Sequence, residues 1–450
     1  MTVLNRLAPH WQPGALALLL LAPFFFWSYG LANQLAAAST QVSSIKFEWE
    51  SAIPLLPWTI LPYWSIDFFY GLSVLIARNR RELRRQVQRL LSAQILCVSC
   101  FLLWPLQFST TRPEVDGWAG VLFDALAGFD LPYNQAPSLH IVLLLILWDF
   151  YRQRLSGGWL WFLHMWSLLI GVSVLTTYQH HFIDIPTGLL AGAVCMWAWP
   201  LQDSPPWRAP SRVDQPHRWL GAVYGGAAAL FAAAAGYAGE MWSRTAWWLW
   251  WPAVSCLWVA LAYVHLGHAG FQKDAQGQHA VASALLLAPQ RLFAWLNARC
   301  WTWRWPSSVA ISDEVWLGRL PLPWEADHRR FDRVLDLTAE LSVRHPGLHS
   351  LPMLDLSLPS APQLRAAAAH VQETVQAMGA NEKLLVSCAL GVSRSAAVVM
   401  TWLVISGRCA SLDEAEAWVR SRRPQVVMRP ALRAVVAQAI DGCALVGRTT

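Results

Sequence analysis

The sequence predicts a multi-pass α-helical membrane domain followed by an α/β domain. Two observations predict this order. Apolar stretches of membrane-spanning length recur as far as residue 266, and beyond Trp305 short β-like runs alternate with helical segments. With 450 residues and 55% hydrophobic composition, the chain is too apolar for an ordinary soluble protein and long enough for two or three domains.

Eight stretches have the apolarity and approximate length of membrane spans, which need about 17–25 residues each. They lie near residues 13–31, 54–77, 90–108, 138–151, 157–177, 183–202, 219–238 and 246–266. The first stretch could instead be a signal peptide, because Ala36, Ala37 and Ala38 follow it like the small residues of a cleavage site. Its cleavage would leave the topology of the later spans unchanged.

The distribution of arginine and lysine orients these spans, because cationic loops tend to stay in the cytosol. One set of alternating loops holds most of these cations: Arg6, Arg78, Arg80, Arg81, Arg84, Arg85, Arg89, Arg152, Arg154, Arg208, Arg212 and Arg218. The opposite set holds only Lys46, Arg112 and Arg244. The sequence therefore predicts a multi-pass protein of the cell (inner) membrane with cytoplasmic N- and C-termini.

The α/β part is predicted from its short apolar runs and its helical periodicity. The β-like runs cover residues 315–317, 334–337 and 384–387, and the helical segments cover 363–378, 395–406, 412–421 and 431–440. Before them, residues 277–304 form an amphipathic pattern. This pattern predicts either a helix on the cytosolic membrane surface or a plain linker helix broken at Pro289.

A possible thiolate site lies in residues 386–395, where an apolar strand turns through a loop into a helix that starts near Ser395. Backbone amides at a helix N-terminus form an anion-binding nest, which lowers the pKa of a thiol such as that of Cys388 and cradles phosphate oxygens. Arg394, six residues after the cysteine, can hold two phosphate oxygens with its planar guanidinium group.

These residues match the CxxxxxRS signature, and roughly residues 307–440 resemble the dual-specificity family of cysteine-dependent phosphatases. Trp-Leu-Gly-Arg at 316–319 and Arg-Arg-Pro-Gln at 422–425 support the resemblance. It implies that Cys388 is the nucleophile and that Arg394 binds phosphate. It also implies that Asp355 is the general acid.

The same resemblance gives roles to three further loop residues. Ser395 would assist thiolate formation and hydrolysis of the phosphocysteine intermediate, and Gly391 and Ser393 would bind phosphate. Ser387 stands where the family usually has histidine. The uncharged loop fits a monophosphate substrate. The alternatives are a degenerate phosphate-binding pseudophosphatase and a buried, inert cysteine.

Three polar segments lie at the outer ends of predicted spans. They are Thr-Thr-Arg-Pro at 110–113, Ala-Pro-Ser-Leu-His at 136–140 and Tyr-Gln-His-His-Phe-Ile-Asp at 178–184. Polar residues at span ends are costly unless they are used, so we expect the segments to converge. Phosphoryl transfer needs a cation, a nucleophile, an acid and a carboxylate that orients the nucleophilic imidazole, and these segments contain all four.

The three segments resemble the type 2 phosphatidic acid phosphatase (PAP2) superfamily, whose pattern is KxxxxxxRP, PSGH and SRxxxxxHxxxD. The matching positions are Arg112, Pro113, Pro137, Ser138, His140, His180 and Asp184. The resemblance implies that His180 attacks phosphorus, Asp184 orients it and His140 protonates the leaving group. It places Arg112, Pro137 and Ser138 at the substrate.

The departures from this pattern leave a second reaction open. Pro105, Leu139 and Val174 replace the family's lysine, glycine and arginine. The altered motifs look closer to the branch that includes sphingomyelin and inositol phosphorylceramide synthases, so phosphoalcohol transfer is an alternative. His181 could replace His180 as nucleophile, although only His180 has an aspartate four residues later.

The predicted organisation has four parts: a PAP2-like domain with a six-helix core at 1–205, two additional spans at 206–270, an amphipathic linker at 271–305 and a dual-specificity phosphatase-like domain at 306–450. The predicted function is that of a bifunctional membrane phosphatase acting on lipid phosphate monoesters. The alternatives are a protein phosphatase domain joined to a phosphoalcohol transferase or to a degenerate lipid-binding anchor. Membrane lipids, lipid phosphates and phosphoproteins are the expected partners. No nucleic acid, cofactor or metal is expected.

Overall fold

A computed structural model describes residues 10–39, 41–209, 217–241 and 244–446. The chain forms two compact units, residues 1–208 and 209–450. The first unit is α-helical. Its helices are α1 (Trp11–Ala37), α2 (Ile60–Leu75), α3 (Arg80–Leu103), α4 (Gly117–Ala127), α5 (Leu139–Arg152), α6 (Gly157–Thr176) and α7 (Asp184–Ala198).

The second unit begins with α8 (Arg218–Met241) and α9 (Trp250–Leu261), which a π-helical turn extends over Ala262–Leu266. The elements that follow are α10 (Val281–Leu286), α11 (Ala288–Thr302), β1 (Ser308–Ala310), β2 (Val315–Arg319), α12 (Ala326–Arg330), β3 (Arg333–Thr338), β4 (Leu348–Met353), α13 (Ala361–Ala377), β5 (Leu384–Cys388), α14 (Arg394–Ile405), α15 (Leu412–Arg422) and α16 (Pro430–Val446).

Within the described residues, five helices are long and apolar enough to cross a membrane. They are Trp11–Ala37, Arg80–Leu103, Gly157–Thr176, Arg218–Gly239 and Ala246–Phe271. The other three predicted spans contain α2, α5 and α7, with 16, 14 and 15 residues. Helices α2 and α7 are shorter than their apolar stretches because turns and motif loops take up the ends of the stretches, whereas α5 is as long as its stretch of 14 residues. The eight spans and the six-helix core therefore stay predictions.

Helix α4 is a feature of the first unit that the sequence analysis did not predict. Its Ala119, Phe123 and Leu126 pack in one buried cluster with residues of α2, α5 and α6, among them Ile60 and Ile141. The cluster holds together the helices that flank the 110–113 and 136–140 segments. This packing fixes the helix ends that carry the residues of the predicted histidine site.

The second unit contains a five-stranded sheet in the order β1-β2-β5-β3-β4. Strand β1 is antiparallel to β2, and all other neighbours are parallel. The carboxyl ends of parallel strands meet at one edge, where α/β proteins commonly bind ligands. The residues after β3, β4 and β5 therefore come together. The short strand β1 and the proline-containing strand β4 were not predicted.

The linker helix α11 packs against the sheet domain on one side. Ala298 is buried in a cluster that includes Leu320, Phe331 and Leu385. Its other side carries exposed apolar residues: Leu292, Phe293, Leu296 and Trp301. The buried side of α11 agrees with its interpretation as a linker helix. The exposed apolar side is compatible with the other interpretation, a helix on the membrane surface, which stays a prediction.

Lys273 joins the segment after α9 to strand β3. Its ammonium group pairs with the Asp336 carboxylate and donates to the Thr338 carbonyl at 2.7 Å, and the side chains of the ion pair are fully buried. Nearby, Ser350 N–H donates to the Ala275 carbonyl at 2.8 Å. The segment is thus bonded to two strands of the sheet.

We expect Lys273→Met to lower the free energy of unfolding of the second unit by about 3–5 kcal/mol, because Asp336 would stay buried without its partner. Thermal unfolding of the full chain in detergent measures this loss. The control is Asp413→Asn, which breaks the exposed ion pair with Arg433 and should change stability by less than about 1 kcal/mol. Equal melting temperatures for both variants would contradict the prediction.

Candidate active sites

Cys388 is the last residue of β5, and its thiol faces the start of α14. The residue is 2% exposed, and the Ser395 hydroxyl donates to its Sγ at 3.2 Å. Burial by itself raises the pKa of the Cys388 thiol. The Arg394 charge, the Ser395 hydroxyl and the amides of Ser393 and Ser395 outweigh burial and lower this pKa below the ordinary value. The loop therefore stabilises a thiolate.

Arg394, the first residue of α14, is buried and held by Glu340. Its two terminal nitrogens donate to the two Glu340 oxygens at 2.7 and 3.1 Å, and one of them also donates to the Met353 carbonyl at 2.8 Å. Burial raises the pKa of Glu340, but the Arg394 charge outweighs it and lowers the pKa. Burial lowers the pKa of Arg394, but Glu340 and Asp355 raise it well above its ordinary value. Both groups stay charged.

Asp355 lies on the loop after β4, with its carboxylate 2.9 Å from the Arg394 guanidinium. Its side chain is 46% exposed on the open side of the site. Shielding by the surrounding protein raises the pKa of Asp355, Arg394 opposes this rise and Glu340 adds to it. The net pKa is raised. A carboxyl that keeps its proton at higher pH suits a proton donor.

Gly391 lets the loop pass close to β2. Its φ is +72°, and a Cβ atom there would lie 2.3 Å from the carbonyl carbon of Gly318. Only glycine fits this approach. The backbone of Gly318, in the Trp-Leu-Gly-Arg stretch, therefore packs directly against the Cys388 loop.

Arg423 braces the loop from the other side. Its guanidinium donates to the Leu390 and Pro306 carbonyls, each at 3.0 Å, which gives the Arg-Arg-Pro-Gln stretch a structural role. Ser387, the departure from the family pattern, donates to the Leu335 carbonyl at 3.1 Å. Its hydroxyl therefore bonds to β3.

The structure brings Cys388, Arg394, Ser395 and Asp355 together, with Gly391 and Ser393 in the same loop. Sequence reasoning missed Glu340. The signal was an acidic residue three positions after the β-like run 334–337, beyond a strand end that should face the same edge as Cys388.

In the first unit, His180 lies buried between Asp184 and Ser138. Its Nδ1 is 3.0 Å from Asp184 Oδ2, and its Nε2 is 3.1 Å from the Ser138 hydroxyl. Ser138 caps α5 by accepting from the Ile141 amide. The imidazole is thus fixed at both nitrogens by residues of two predicted segments.

A cavity of about 370 Å³ opens beside His180. It is also lined by Arg112, Asp130 and Tyr29, and the Tyr29 hydroxyl donates to Asp130 at 2.9 Å. The cavity therefore places a cation and a carboxylate near the imidazole. Asp130 and Tyr29 were missed because no spacing rule connects them with the three motifs.

His140 and Pro137 have a less direct relation to this cavity, since neither is among its described lining residues. The His140 ring stacks on Tyr63 with centroids 4.0 Å apart, and its Nε2 is buried without a hydrogen-bond partner among the described residues. Pro137 follows a cis peptide bond and directly precedes Ser138. The structure thus joins Ser138, His180 and Asp184 by hydrogen bonds, and Arg112 shares the cavity with His180.

His181 has a carboxylate partner of its own. Its Nδ1 is 2.9 Å from Glu50, and its Nε2 accepts from the Ser109 amide at 3.1 Å. The reason given for preferring His180 was therefore incomplete, because Glu50 is distant in sequence. His180 is distinguished by lining the cavity, because His181 is not among the described lining residues.

Comparison with known proteins finds one family. Residues 326–439 match the model "Dual specificity phosphatase, catalytic domain". The family models give no match to the PAP2 superfamily, so that resemblance stays a prediction. The comparison with curated proteins gives no match.

Several solved structures are similar to part of the chain. Tk-PTP in the active form is 30% identical over 31% of this chain and 98% of its own, with a TM-score of 0.27. PTPMT1 in complex with PI(5)P is 18% identical over 32% and 99%, with a TM-score of 0.28. Human DUSP28 is 22% identical over 30% and 95%, with a TM-score of 0.27.

The family match covers β3, β4, β5 and α14, and so includes Glu340, Asp355, Cys388 and Arg394. Residues 326–439 therefore match a dual specificity phosphatase catalytic domain, and this match supports a phosphatase, a hydrolase of phosphoric monoesters.

Proposed function

We propose that this protein is a bifunctional membrane phosphatase that hydrolyses lipid phosphate monoesters at a cysteine site in the cytosol and a histidine site on the outer face. The cysteine half is carried by one observation. The buried Arg394 contacts the carboxyl of Asp355 at 2.9 Å beside a thiol whose pKa is lowered. A phosphate-binding arginine, a proton donor and a nucleophile thus lie in one site.

At the cysteine site, the Cys388 thiolate attacks phosphorus and the ester oxygen leaves with the proton of Asp355. Water then attacks the phosphocysteine, Asp355 takes its proton, and the sulfur leaves as a thiolate that accepts the Ser395 hydrogen bond. The phosphate oxygens are held by Arg394 and the loop amides. Bound phosphate competes with Asp355 for Arg394 and places negative charge beside it, which keeps the carboxyl protonated.

A lipid substrate is supported by what holds the Asp355 loop. Tyr263, in the membrane-length helix Ala246–Phe271, donates its hydroxyl hydrogen to the Asp355 carbonyl at 2.8 Å. The proton donor therefore lies next to a helix that is long and apolar enough to enter the bilayer. Lipid head groups at the bilayer surface would be at high effective concentration there. The uncharged side chains of Ala389, Leu390 and Val392 fit a monophosphate.

At the histidine site, His180 Nε2 is the nucleophile, and Asp184 stabilises the charge that develops on its ring. Arg112 binds the phosphate oxygens in the cavity, Ser138 bonds to the nucleophilic imidazole, and Pro137 directly precedes Ser138. By the resemblance, His140, whose Nε2 has no partner among the described residues, supplies the proton for the leaving group. Water then attacks the phosphohistidine, His140 takes its proton, phosphate leaves and the His180 imidazole is restored.

Phosphoalcohol transfer is the second candidate for the histidine site. Asp130 places a carboxylate in the cavity with Arg112, and two family cations are replaced by Pro105 and Val174. A phosphate dianion would be repelled by the carboxylate, whereas a phosphodiester that carries an amine would match both charges. Such a site would move a phosphoalcohol between lipids.

We expect Cys388→Ser and His180→Ala to cause independent losses of activity. Each full-length variant is assayed in detergent–lipid micelles against phosphatidic acid, a phosphodiester lipid and a phosphotyrosine peptide. Removing a nucleophile should lower turnover at its own site by roughly 10³-fold or more and leave the other site unchanged. Cys300→Ser, which alters an exposed thiol on α11, should match the unsubstituted protein.

Two outcomes of this assay would change the proposal. If each substitution abolished turnover of every substrate alike, the two-site proposal would be wrong. If Cys388→Ser removed activity on the peptide and not on any lipid, the cysteine site would be a protein phosphatase.

The pH dependence of the cysteine site follows from its two shifted pKa values. Turnover of an alkyl phosphate should rise as pH passes upward through the lowered pKa of Cys388, where the thiolate forms. It should fall as pH passes through the raised pKa of Asp355, where the donor loses its proton.

Asp355→Asn should remove the fall on the alkaline side and lower kcat by about 10²-fold. The control is Asp313→Asn, at an exposed position in the turn between β1 and β2, and its pH profile should be unchanged. An alkaline fall that persists in Asp355→Asn would exclude Asp355 as the proton donor.

A further inference from the structure

The membrane-proximal segment, residues 263–280, contacts both loops that frame Cys388. We infer that Tyr263 is a positioning residue for Asp355 and that this segment completes the cysteine site. The inference rests on the proposed role of Asp355 as proton donor. It assigns a catalytic requirement to residues that lie outside the matched range 326–439.

Tyr263 is itself held in place by its surroundings. It is 4% exposed, and its ring stacks on Tyr224 of α8 with centroids 5.5 Å apart and planes 15° from parallel. Its carbonyl accepts from the His217 amide at 3.1 Å. The hydroxyl that donates to the Asp355 carbonyl therefore has a defined position.

The Asp355 loop needs a backbone contact because its carboxylate, 46% exposed, is held through Arg394 at 2.9 Å. Bound phosphate would compete for that arginine, whereas the Tyr263 bond to the Asp355 carbonyl would remain. The next residue, Leu356, has a φ of +55°, which is unfavourable for a side chain of its kind. The Tyr263 hydroxyl holds the peptide group between these two residues. Without that bond, the peptide can rotate to a more common conformation and carry the carboxyl away.

The same segment also fixes the loop that holds Arg394. Lys273 bonds to Asp336 and Thr338 at the end of β3, and His279 Nε2 lies 2.8 Å from the Ala339 carbonyl. The Ala339 amide donates to the Glu340 carboxylate at 3.0 Å, and this carboxylate accepts two hydrogen bonds from Arg394. The proton donor and the phosphate-binding arginine are therefore positioned by residues in the membrane-length helix Ala246–Phe271 and in the segment directly after it.

The test uses the leaving group to detect a misplaced proton donor. An alkyl oxygen needs a proton as it leaves, whereas an activated aryl oxygen with a low pKa leaves with little help. In the full-length protein, Tyr263→Phe keeps the ring stack and removes only the hydroxyl. We expect its kcat/KM for a short-chain alkyl phosphate to fall roughly 10–100-fold and its kcat/KM for an activated aryl phosphate to stay within about 2-fold. This ratio is the readout because it excludes hydrolysis of the phosphocysteine, in which Asp355 is the base for both substrates.

The matched control is Tyr224→Phe. The Tyr224 hydroxyl makes no hydrogen bond with the described residues, so this variant should show no change with either substrate. Asp355→Asn should show the same preference for the activated substrate, and adding Tyr263→Phe to it should cause little further loss.

Equal losses with both substrates, or no loss with either, would overturn the inference. All of these variants are made in the His180→Ala background, so that the proposed histidine site does not contribute. There, Cys388→Ser separates this failure from failure of the proposed function, because it should abolish turnover of both substrates. If Cys388→Ser is inactive and Tyr263→Phe shows no leaving-group dependence, only the role of Tyr263 is wrong. If Cys388→Ser stays active, the cysteine site itself is wrong.

Discussion

The buried guanidinium of Arg394 is the centre on which the cysteine site depends. Three loops of the sheet domain meet there: Glu340 from the loop after β3, the Met353 carbonyl and Asp355 from the end of β4, and the Cys388 loop after β5. A buried arginine needs a partner for its charge, and Glu340 supplies it with two parallel hydrogen bonds. These two bonds orient the Arg394 guanidinium, which would bind phosphate, and they leave it able to contact Asp355.

The histidine site is organised by the same physical need in a different setting. Two adjacent imidazoles, His180 and His181, are each paired with a carboxylate, and Asp184 also accepts the His181 amide at 3.1 Å. The pairing leaves one imidazole facing the cavity and uses the other to hold Ser109. Since Ser109 directly precedes the 110–113 segment, the second pair stabilises the part of the chain that carries Arg112.

The proximity of most residues in the predicted cysteine site could be inferred from the sequence because they lie in one short loop. Cys388, Gly391, Arg394 and Ser395 are close in sequence, so the strand–loop–helix pattern alone brings them together. Glu340 was missed because its partner is 54 residues away. In the first unit, the three motif segments were found, whereas Glu50 and Asp130 reach the site through packing that no local pattern encodes. Helix α4 was missed because it is short and belongs to no span.

The stack of Tyr224 on Tyr263 joins two helices that are long and apolar enough to span a bilayer. Such helices change tilt when the hydrocarbon layer becomes thinner or thicker than their apolar length. A tilt of either helix would move the Tyr263 hydroxyl and, through its hydrogen bond, the peptide group of Asp355. If these helices span a bilayer, the acyl-chain length of the surrounding lipids would influence the proposed reaction, in addition to any role of those lipids as substrates.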